Sequence, residues 1–161
     1  MFRQFKFEEA LYPKLEEIPI SAMFKLETLG LDFPLEAWRH LALEERWVLC
    51  HMPMRSRGER DCYRDYVFYL LKRQKVPLPV LPTSPAAVKK PWEELARLPA
   101  EVAKRAGELN LPLFWPDWIK LDDMERYAIY RSCAGKSGNA QVQKVVEEFM
   151  GLSHASPSQN R

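Results

Sequence analysis

Hydrophobic residues along this chain recur mainly at the spacing of an α-helix. Between Pro19 and Gly30 the apolar positions stand three or four residues apart, at Ala22, Met23, Leu26 and Leu29. This spacing predicts a helix with one buried face. Proline suits the first turn, where its missing N–H costs no hydrogen bond, and glycine accepts the left-handed conformation that ends a helix.

The same periodicity predicts two more helices in the first half, over about 43–50 and 59–75. The second of these sets Cys62, Tyr66, Tyr69 and Leu70 on one face. In the second half, helices are predicted after Pro99, with Asn110 as the left-handed stop, after Asp122, and over the segment that carries Val142, Val145, Val146, Phe149 and Met150. Asp122 with Glu125 predicts a capping box, whereas Ala42 offers no side-chain cap.

The two halves resemble each other at a constant offset of 80 residues, which indicates an internal repeat. Identical residues start their pairs at Leu15, Pro19, Leu29, Leu31, Trp38, Leu41, Glu45, Arg46 and Gly58. Other pairs conserve residue type, such as Lys25 with Arg105. Two helical segments that arose separately are the alternative to a true duplication.

These patterns predict an all-α protein of two repeated three-helix units packed as one helical domain over 1–161. The first unit spans 11–75 and the second spans 92–151. A proline-rich linker over 76–91 separates them, because its five prolines exclude a regular helix. A polar tail follows over 152–161. No segment shows the alternation of a strand.

Composition narrows the classes of protein. The chain has 161 residues, 47% of them hydrophobic, so it is long enough to bury a real core. A net charge of +2 is too small to argue for nucleic-acid binding alone. The longest apolar run, 67–71, is too short to span a bilayer, and the first residues lack a secretion signal. We therefore expect a cytoplasmic protein with no membrane contact.

Candidate catalytic and metal-binding groups are few. The cluster Cys50-His51-Met52-Pro53-Met54 has ligands that suit copper(I), but neighbouring residues at a helix end point in different directions. Gly135-Lys136-Ser137 lacks the first glycine and the preceding strand of a phosphate-binding loop. Cys133 has Lys136 nearby but no histidine partner. We predict no metal, no cofactor and no enzymatic activity; an enzyme that uses Cys133 or the 50–54 cluster is the least favoured alternative.

A basic segment offers another alternative. From Arg55 to Lys75 there are seven Lys or Arg residues and three acidic residues, with tyrosines between them. Such a surface is compatible with a helical nucleic-acid-binding regulator. A solvated helix face explains the segment better, because Glu59, Asp61 and Asp65 interrupt the positive charge.

The strongest repeated motif is Trp-x-x-Leu-x-x-x-Glu-Arg. Its candidate partner-binding residues are Trp38, Glu45 and Arg46 in the first half, with Trp118, Glu125 and Arg126 in the second. We expect the tryptophans to fill the core where helices meet. The charged residues are expected to pair with neighbouring helices, since a guanidinium makes planar, bidentate contacts. A paired surface that recognises a partner is the functional alternative.

Several strings in the first third resemble a known family. They are Phe5-Lys6-Phe7-Glu8, Leu15-Glu16-Glu17-Ile18-Pro19, Phe24-Lys25-Leu26-Glu27, Gly30, Trp38-Arg39-His40-Leu41 and Glu44-Glu45-Arg46. Together they resemble the nitrate reductase-associated proteins, small bacterial proteins, many of them cyanobacterial. The similarity is good over residues 5 to about 53. One departure is Leu29, where that family often has a cysteine before the glycine.

The resemblance implies a role in nitrate assimilation. Members of the family are encoded near nitrate reductase and molybdopterin-biosynthesis functions, and the family supplies no catalytic residues to carry over. We therefore expect a non-catalytic accessory protein that binds a protein partner, either nitrate reductase or the molybdenum-cofactor machinery. The oligomeric state does not follow from the sequence.

Overall fold

The computed structural model of the protein describes residues 2–77 and 90–151. Within these ranges the regular structure is entirely helical, with eight α-helices, 3₁₀ turns at Lys6–Glu8 and Pro91–Glu93, and no strand. The predicted all-α class is confirmed. The proline-rich linker predicted over 76–91 lies largely outside the described residues, as does the polar tail predicted over 152–161.

The chain divides into two compact units, Met1–Val88 and Lys89–Arg161. The first contains α1 (Ile20–Thr28), α2 (Leu35–Arg39), α3 (Leu43–His51) and α4 (Arg57–Arg73). The second contains α5 (Ala100–Glu108), α6 (Trp115–Trp118), α7 (Asp123–Ala134) and α8 (Asn139–Met150). Each unit thus has its three predicted helices and one further short helix, α2 or α6. The packing of the two units as one domain, and their origin by duplication, stay predictions.

Helix ends follow the local chemistry of the sequence. Gly30 and Asn110 both adopt positive φ, at 67° and 51°, as predicted for the residues that follow α1 and α5. Asp122 accepts a hydrogen bond from the Glu125 backbone N–H at 2.9 Å, and Glu125 Oε2 accepts one from the Asp122 N–H at 3.0 Å. The predicted capping box of α7 is therefore confirmed. At α3 only the second of these bonds has a counterpart, from Ala42 N to Glu45 Oε2 at 3.0 Å.

Each unit has its own buried residues. In the first they come from all four helices and from the segments before α1 and between α1 and α2, with Trp38, Tyr63 and Leu49 among the fully buried side chains. In the second, Trp118, Tyr127 and Ile129 are fully buried. The Trp92 ring meets the Tyr127 ring edge-on, with centroids 4.9 Å apart. Burial of these large side chains is the main stabilising contribution in each unit.

Of the four residues predicted to share one face of α4, Leu70 is buried and Tyr66 is partly buried, but the prediction is wrong for Cys62 and Tyr69. Cys62 is exposed and Tyr69 is 57% exposed, while the buried residues of the helix are Tyr63, Val67, Leu70 and Leu71. In α8 the buried residues are Val142, Val145 and Val146. These sets correspond at an offset of 79 residues, since Tyr63 matches Val142 and Val67 matches Val146. The offset of 80 therefore ends before the last helix of each unit, and carrying it further rotated the predicted face of α4 by about 100°.

Candidate interaction surface

The two repeated tryptophans are structural anchors. Trp38 and Trp118 are both fully buried, which confirms the prediction that they fill the core. Trp38 Nε1 donates to the Leu15 carbonyl at 2.7 Å, and Trp118 Nε1 donates to the Glu94 carbonyl at 2.8 Å. Each indole thus ties a short helix, α2 or α6, to the segment that precedes the first helix of its unit.

Arg46 binds backbone carbonyls rather than a carboxylate. Its guanidinium donates to five carbonyl oxygens at 2.7–3.1 Å, those of Lys14, Leu15, Trp38, Arg39 and Leu41. A planar fork with five N–H groups can satisfy several acceptors at once. Arg46 therefore joins the segment before α1 to the carboxyl end of α2.

Arg126 occupies the matching place in the second unit. It is buried, and it donates to the Trp92 carbonyl at 2.9 Å, to the Leu121 carbonyl and to the Asp123 carboxylate. Leu41 and Leu121, which accept from Arg46 and Arg126, are themselves a repeat pair. The two arginines differ in that only Arg126 has a charged partner among these contacts.

The two glutamates cap the first turns of their helices. Glu45 caps the N–H of Ala42 and also pairs with Arg73 of α4 through bonds of 2.5 and 2.8 Å. The hydrogen bonds from Arg73 hold the pKa of Glu45 below its usual range. Glu125 serves the capping box of α7. All six candidate partner-binding residues thus make contacts inside their own unit, which favours the structural interpretation of the motif. A direct role for them in partner recognition stays a prediction.

A buried lysine that the motif search missed lies beside the Cys50 cluster. Lys25 is 5% exposed, and its Nζ donates to the carbonyls of Cys50 and Met52 at 2.6 and 2.7 Å. A cation at the carboxyl end of α3 interacts favourably with the negative end of the helix dipole. Arg105, the repeat partner, donates to the Ser137 carbonyl after α7 at 3.2 Å. In the sequence, the only indication of this role was that Lys25 and its repeat partner Arg105 are both basic.

Two of the three thiols, Cys50 and Cys133, are at least partly buried. Burial raises the pKa of Cys50 to about 12 and that of Cys133 to about 11, so both stay protonated at neutral pH. Cys50 lies in the core, whereas His51 is exposed and its Nδ1 lies 2.9 Å from the Trp47 carbonyl. In the part of the chain that the structure describes, no group of three or more His, Cys, Asp or Glu is placed to hold a metal ion.

The basic segment Arg55–Lys75 lies mostly on α4, and two of its seven cations are paired with carboxylates. Arg64 bridges Asp61 and Asp65 at 3.1 and 3.5 Å, and Arg73 is held by Glu45. Arg60 donates to the Arg55 carbonyl at 3.0 Å. Cations that bind phosphates supply the affinity for nucleic acid, so these two sets of ion pairs reduce the positive charge that the segment offers to such a partner.

An exposed apolar patch in the second unit was not predicted. We define it as Leu95, Phe114, Trp115 and Ile119, which are between 42% and 64% exposed, Phe114 being the most exposed. Trp115 Nε1 donates to the Leu95 carbonyl at 2.8 Å, which holds the indole against that residue. Trp115 and Ile119 are one helical turn apart, and Phe114 precedes Trp115. Trp115 therefore links the Leu95 segment to α6, and Phe114 and Ile119 flank the same short helix.

A comparison of the two repeats in the sequence indicates this surface. At the offset of 80, Phe114 corresponds to Pro34, Trp115 to Leu35 and Ile119 to Arg39. At these matched positions around the short helix, the side chains of the second unit are therefore more apolar than those of the first, and two of the three are aromatic. Core packing does not explain this difference, because these side chains are exposed.

A shallow cleft of about 350 Å³ lies at the start of α5. Its walls carry two cations, Lys90 and Arg97, and two carboxylates, Glu94 and Glu101. These four side chains give the walls no net charge.

No helix within 2–77 or 90–151 is both long and apolar enough to cross a membrane. No protein with a curated description and no solved structure matches the chain. One family model does match, over residues 4–149, and it describes the conserved nitrate reductase-associated proteins. Because this match covers nearly the whole chain, including both units and the segment between them, the protein belongs to the conserved nitrate reductase-associated protein family.

Proposed function

We propose that this protein is a non-catalytic accessory protein that acts by binding another protein in nitrate assimilation. Its partner in this proposal is nitrate reductase, or a protein that loads the molybdenum cofactor during maturation of the enzyme. The binding takes place in the cytoplasm, as the sequence analysis expects.

The apolar patch is the observation that carries this proposal. Contiguous exposed apolar surface is costly in a protein that works alone, and patches of this kind mark interaction sites. Aromatic residues are enriched in the cores of protein–protein interfaces, and two of the four patch residues are aromatic. Family membership supports the nitrate context, because the family is described by its association with nitrate reductase.

The direct test is affinity capture of the tagged protein from its own host grown on nitrate, read by mass spectrometry. We expect nitrate reductase or molybdopterin-handling proteins to be enriched over a host grown on ammonium. A Phe114→Ser/Ile119→Ser variant should lose them, whereas the matched Leu35→Ser/Leu43→Ser variant, which removes exposed leucines of the first unit, should retain them.

A deletion strain gives a second readout. We expect nitrate reductase activity per molecule of enzyme to fall in the deletion strain and to return when the intact gene is supplied. Normal activity together with capture of nucleic acid alone would contradict the accessory role and favour the regulator that uses the Arg55–Lys75 surface.

A further inference from the structure

A carboxylate joins two hydrogen-bond donors at the start of α1 in the first unit. Glu8 Oε1 accepts from the Ile20 N–H at 2.9 Å, and Glu8 Oε2 accepts from the Tyr12 hydroxyl at 3.1 Å. Ile20 is the first residue of α1, so the carboxylate also lies at the positive end of the helix dipole. One anion thus satisfies a helix N–H and the polar group of an aromatic side chain.

The second unit has two matching donors but no matching carboxylate. At the offset of 80, the residues that correspond to Tyr12, Ile20 and Glu8 are Trp92, Ala100 and Val88. Trp92 is 5% exposed, yet neither its indole N–H nor the Ala100 N–H has an acceptor among the residues that the structure describes. A buried indole N–H usually has a hydrogen-bond partner. The pair of donors therefore needs an acceptor.

The shallow cleft of about 350 Å³ lies beside these donors. Ala100 lines it, as does Pro91, which precedes Trp92, and Leu98 and Pro99 add apolar wall. Pro99 is the N-cap of α5 and provides no side-chain cap for this helix. A cleft of this volume admits a small organic group.

Hydrogen-bond donors, and not net charge, decide which ligand suits the cleft. Its four charged side chains balance, so attraction at a distance selects neither sign. The Ala100 N–H lies at the positive end of the α5 dipole, which favours an anionic oxygen. A carboxylate has two acceptor oxygens and can serve two donors at once, as Glu8 does.

The nearby chain does not provide this carboxylate. Residues 78–89, which precede the cleft, contain no Asp or Glu. Of the glutamates that follow, Glu93 accepts from the Lys90 N–H at 3.2 Å and Glu94 accepts from the Ala96 N–H at 2.8 Å. Both therefore cap other parts of the backbone.

We propose that the cleft at the start of α5 binds a carboxylate supplied from outside the chain. One carboxylate oxygen accepts from the Ala100 N–H and the other from the Trp92 indole N–H, and the rest of the ligand lies against Leu98 and Pro99. The carboxylate belongs to a small organic acid or to an Asp or Glu side chain of another protein. This site goes beyond the proposed function and does not depend on it.

NMR spectra of the full nitrogen-15-labelled chain report on both donors, because each is an N–H group with its own signal. The probes are benzoate and benzamide, which have nearly the same shape and differ in charge. We expect benzoate to shift the Trp92 indole and Ala100 amide signals and to bind at least about tenfold more tightly than benzamide. The Ile20 amide, which Glu8 already caps, should not move. Equal binding of the two probes, or an unmoved Trp92 signal, would overturn the proposal.

Ala100→Pro removes one donor without breaking the helix. Proline is favoured at the first helical position, and Pro99, with φ −54° and ψ 143°, already has the extended conformation that a residue before proline needs. We expect benzoate binding to weaken by about tenfold in this variant and also in Trp92→Phe.

A matched variant keeps this test independent of folding. Asn139→Pro places proline at the first position of α8 in the same unit and should bind benzoate as the parent does. Circular dichroism should show both proline variants folded. Unchanged benzoate binding in Ala100→Pro would overturn the proposal, whether or not Trp92→Phe folds.

A third probe identifies the source of the carboxylate. The peptide acetyl-Gly-Asp-Gly-amide carries its only carboxylate on an Asp side chain. Tighter binding of this peptide than of benzoate would assign the site to a protein side chain, and the reverse would assign it to a small organic acid. Binding of neither carboxylate would overturn the site and leave the proposed function untouched, because that function depends on the apolar patch.

Discussion

At the scale of the residue, the most consequential side chain is one that a motif search passes over. Lys25 supplies hydrogen bonds to two carbonyls at the end of α3, and its ammonium lies 5.7 Å from the centre of the Tyr63 ring. A buried amine is tolerated only when such acceptors replace the lost water. Its role is therefore to hold α1 against the end of α3.

Replacing Lys25 by methionine, which has a similar length, should destabilise the protein. The carbonyls of Cys50 and Met52 would lose their donor, and buried unsatisfied groups cost about 1–3 kcal/mol. Relief of the buried charge offsets part of that cost, so we expect a loss of roughly 2 kcal/mol in the free energy of unfolding by urea. Lys104→Met is the control, because Lys104 is exposed, and no significant loss is expected there.

The same lysine should give a distinctive pH dependence. Burial lowers the pKa of Lys25 to about 8, whereas an unfolded lysine titrates near 10.4. Between these values the unfolded chain binds more protons, so the Lys25 contribution to stability rises with pH. Cys50 acts in the opposite direction, because its raised pKa of about 12 means that stability is lost as pH rises above the ordinary thiol value.

The Lys25→Met variant separates the two effects. Above pH 8 its unfolding free energy should fall more steeply than that of the parent, because the favourable Lys25 contribution is gone while the Cys50 contribution remains. Urea denaturation at intervals from pH 7 to 10 measures both slopes. Parallel curves for the parent and the variant would show that Lys25 titrates normally.

Two glycines should respond to alanine with opposite signs. A β-carbon on Gly135 would lie 2.7 Å from the Arg131 carbonyl oxygen, whereas one on Gly107 in α5 would meet nothing within 4 Å. We expect Gly135→Ala to cost about 1–3 kcal/mol, since the backbone must move to relieve the contact. Gly107→Ala should stabilise by about 0.5–1 kcal/mol, because alanine loses less conformational entropy in a helix. Thermal unfolding of the two variants tests the sign directly.

At the scale of the element, the sequence predicted the long helices well because their ends have local causes. The left-handed stops at Gly30 and Asn110 and the capping box at Asp122 depend only on nearby residues. The short helices α2 and α6 were missed because four or five residues contain too little periodicity to identify a helix. Burial of Trp38 and Trp118 in the core stabilises these two short helices.

The buried face of α4 could not be predicted from the sequence, for a different reason. Its apolar residues are spread around the helix, with Tyr66, Phe68 and Tyr69 outside the buried set. Hydrophobic periodicity was therefore compatible with more than one buried face of α4. The choice between them depended on how the two repeats are aligned. The apolar patch was missed because exposure is a property of packing, and the residue types alone do not distinguish a core tryptophan from an exposed one.

Unequal caps at the two corresponding helices give a matched prediction. Asp122→Ala should destabilise the protein by about 1 kcal/mol, because the Glu125 N–H at the start of α7 loses its acceptor. Ala42→Ser should stabilise it by about 0.5–1 kcal/mol, since Ala42 has the extended conformation of an N-cap, with φ −63° and ψ 153°, but no side-chain acceptor. Chemical denaturation should therefore move in opposite directions. A loss at both positions would mean that the α3 start cannot accept a serine cap.

At the scale of the whole molecule, the decisive question is whether the two units unfold together. Each unit has roughly half the chain and its own buried tryptophans and tyrosines. Small domains bury a smaller fraction of their unfolded surface than larger ones, so units of this size gain stability if they pack together. The sequence-based expectation of one domain therefore predicts one cooperative transition.

Calorimetry can test that expectation together with two core substitutions. For a single transition the calorimetric and van't Hoff enthalpies agree, whereas two independent units give a calorimetric value about twice the van't Hoff value. Trp38→Phe removes the indole bond to Leu15 in the first unit, and Trp118→Phe removes the bond to Glu94 in the second. If the units unfold together, either substitution lowers the single transition temperature for the entire chain. Two transitions, each shifted by only one of the substitutions, would show that the repeat built two independent domains, and the apolar patch would then belong to a module that binds its partner on its own.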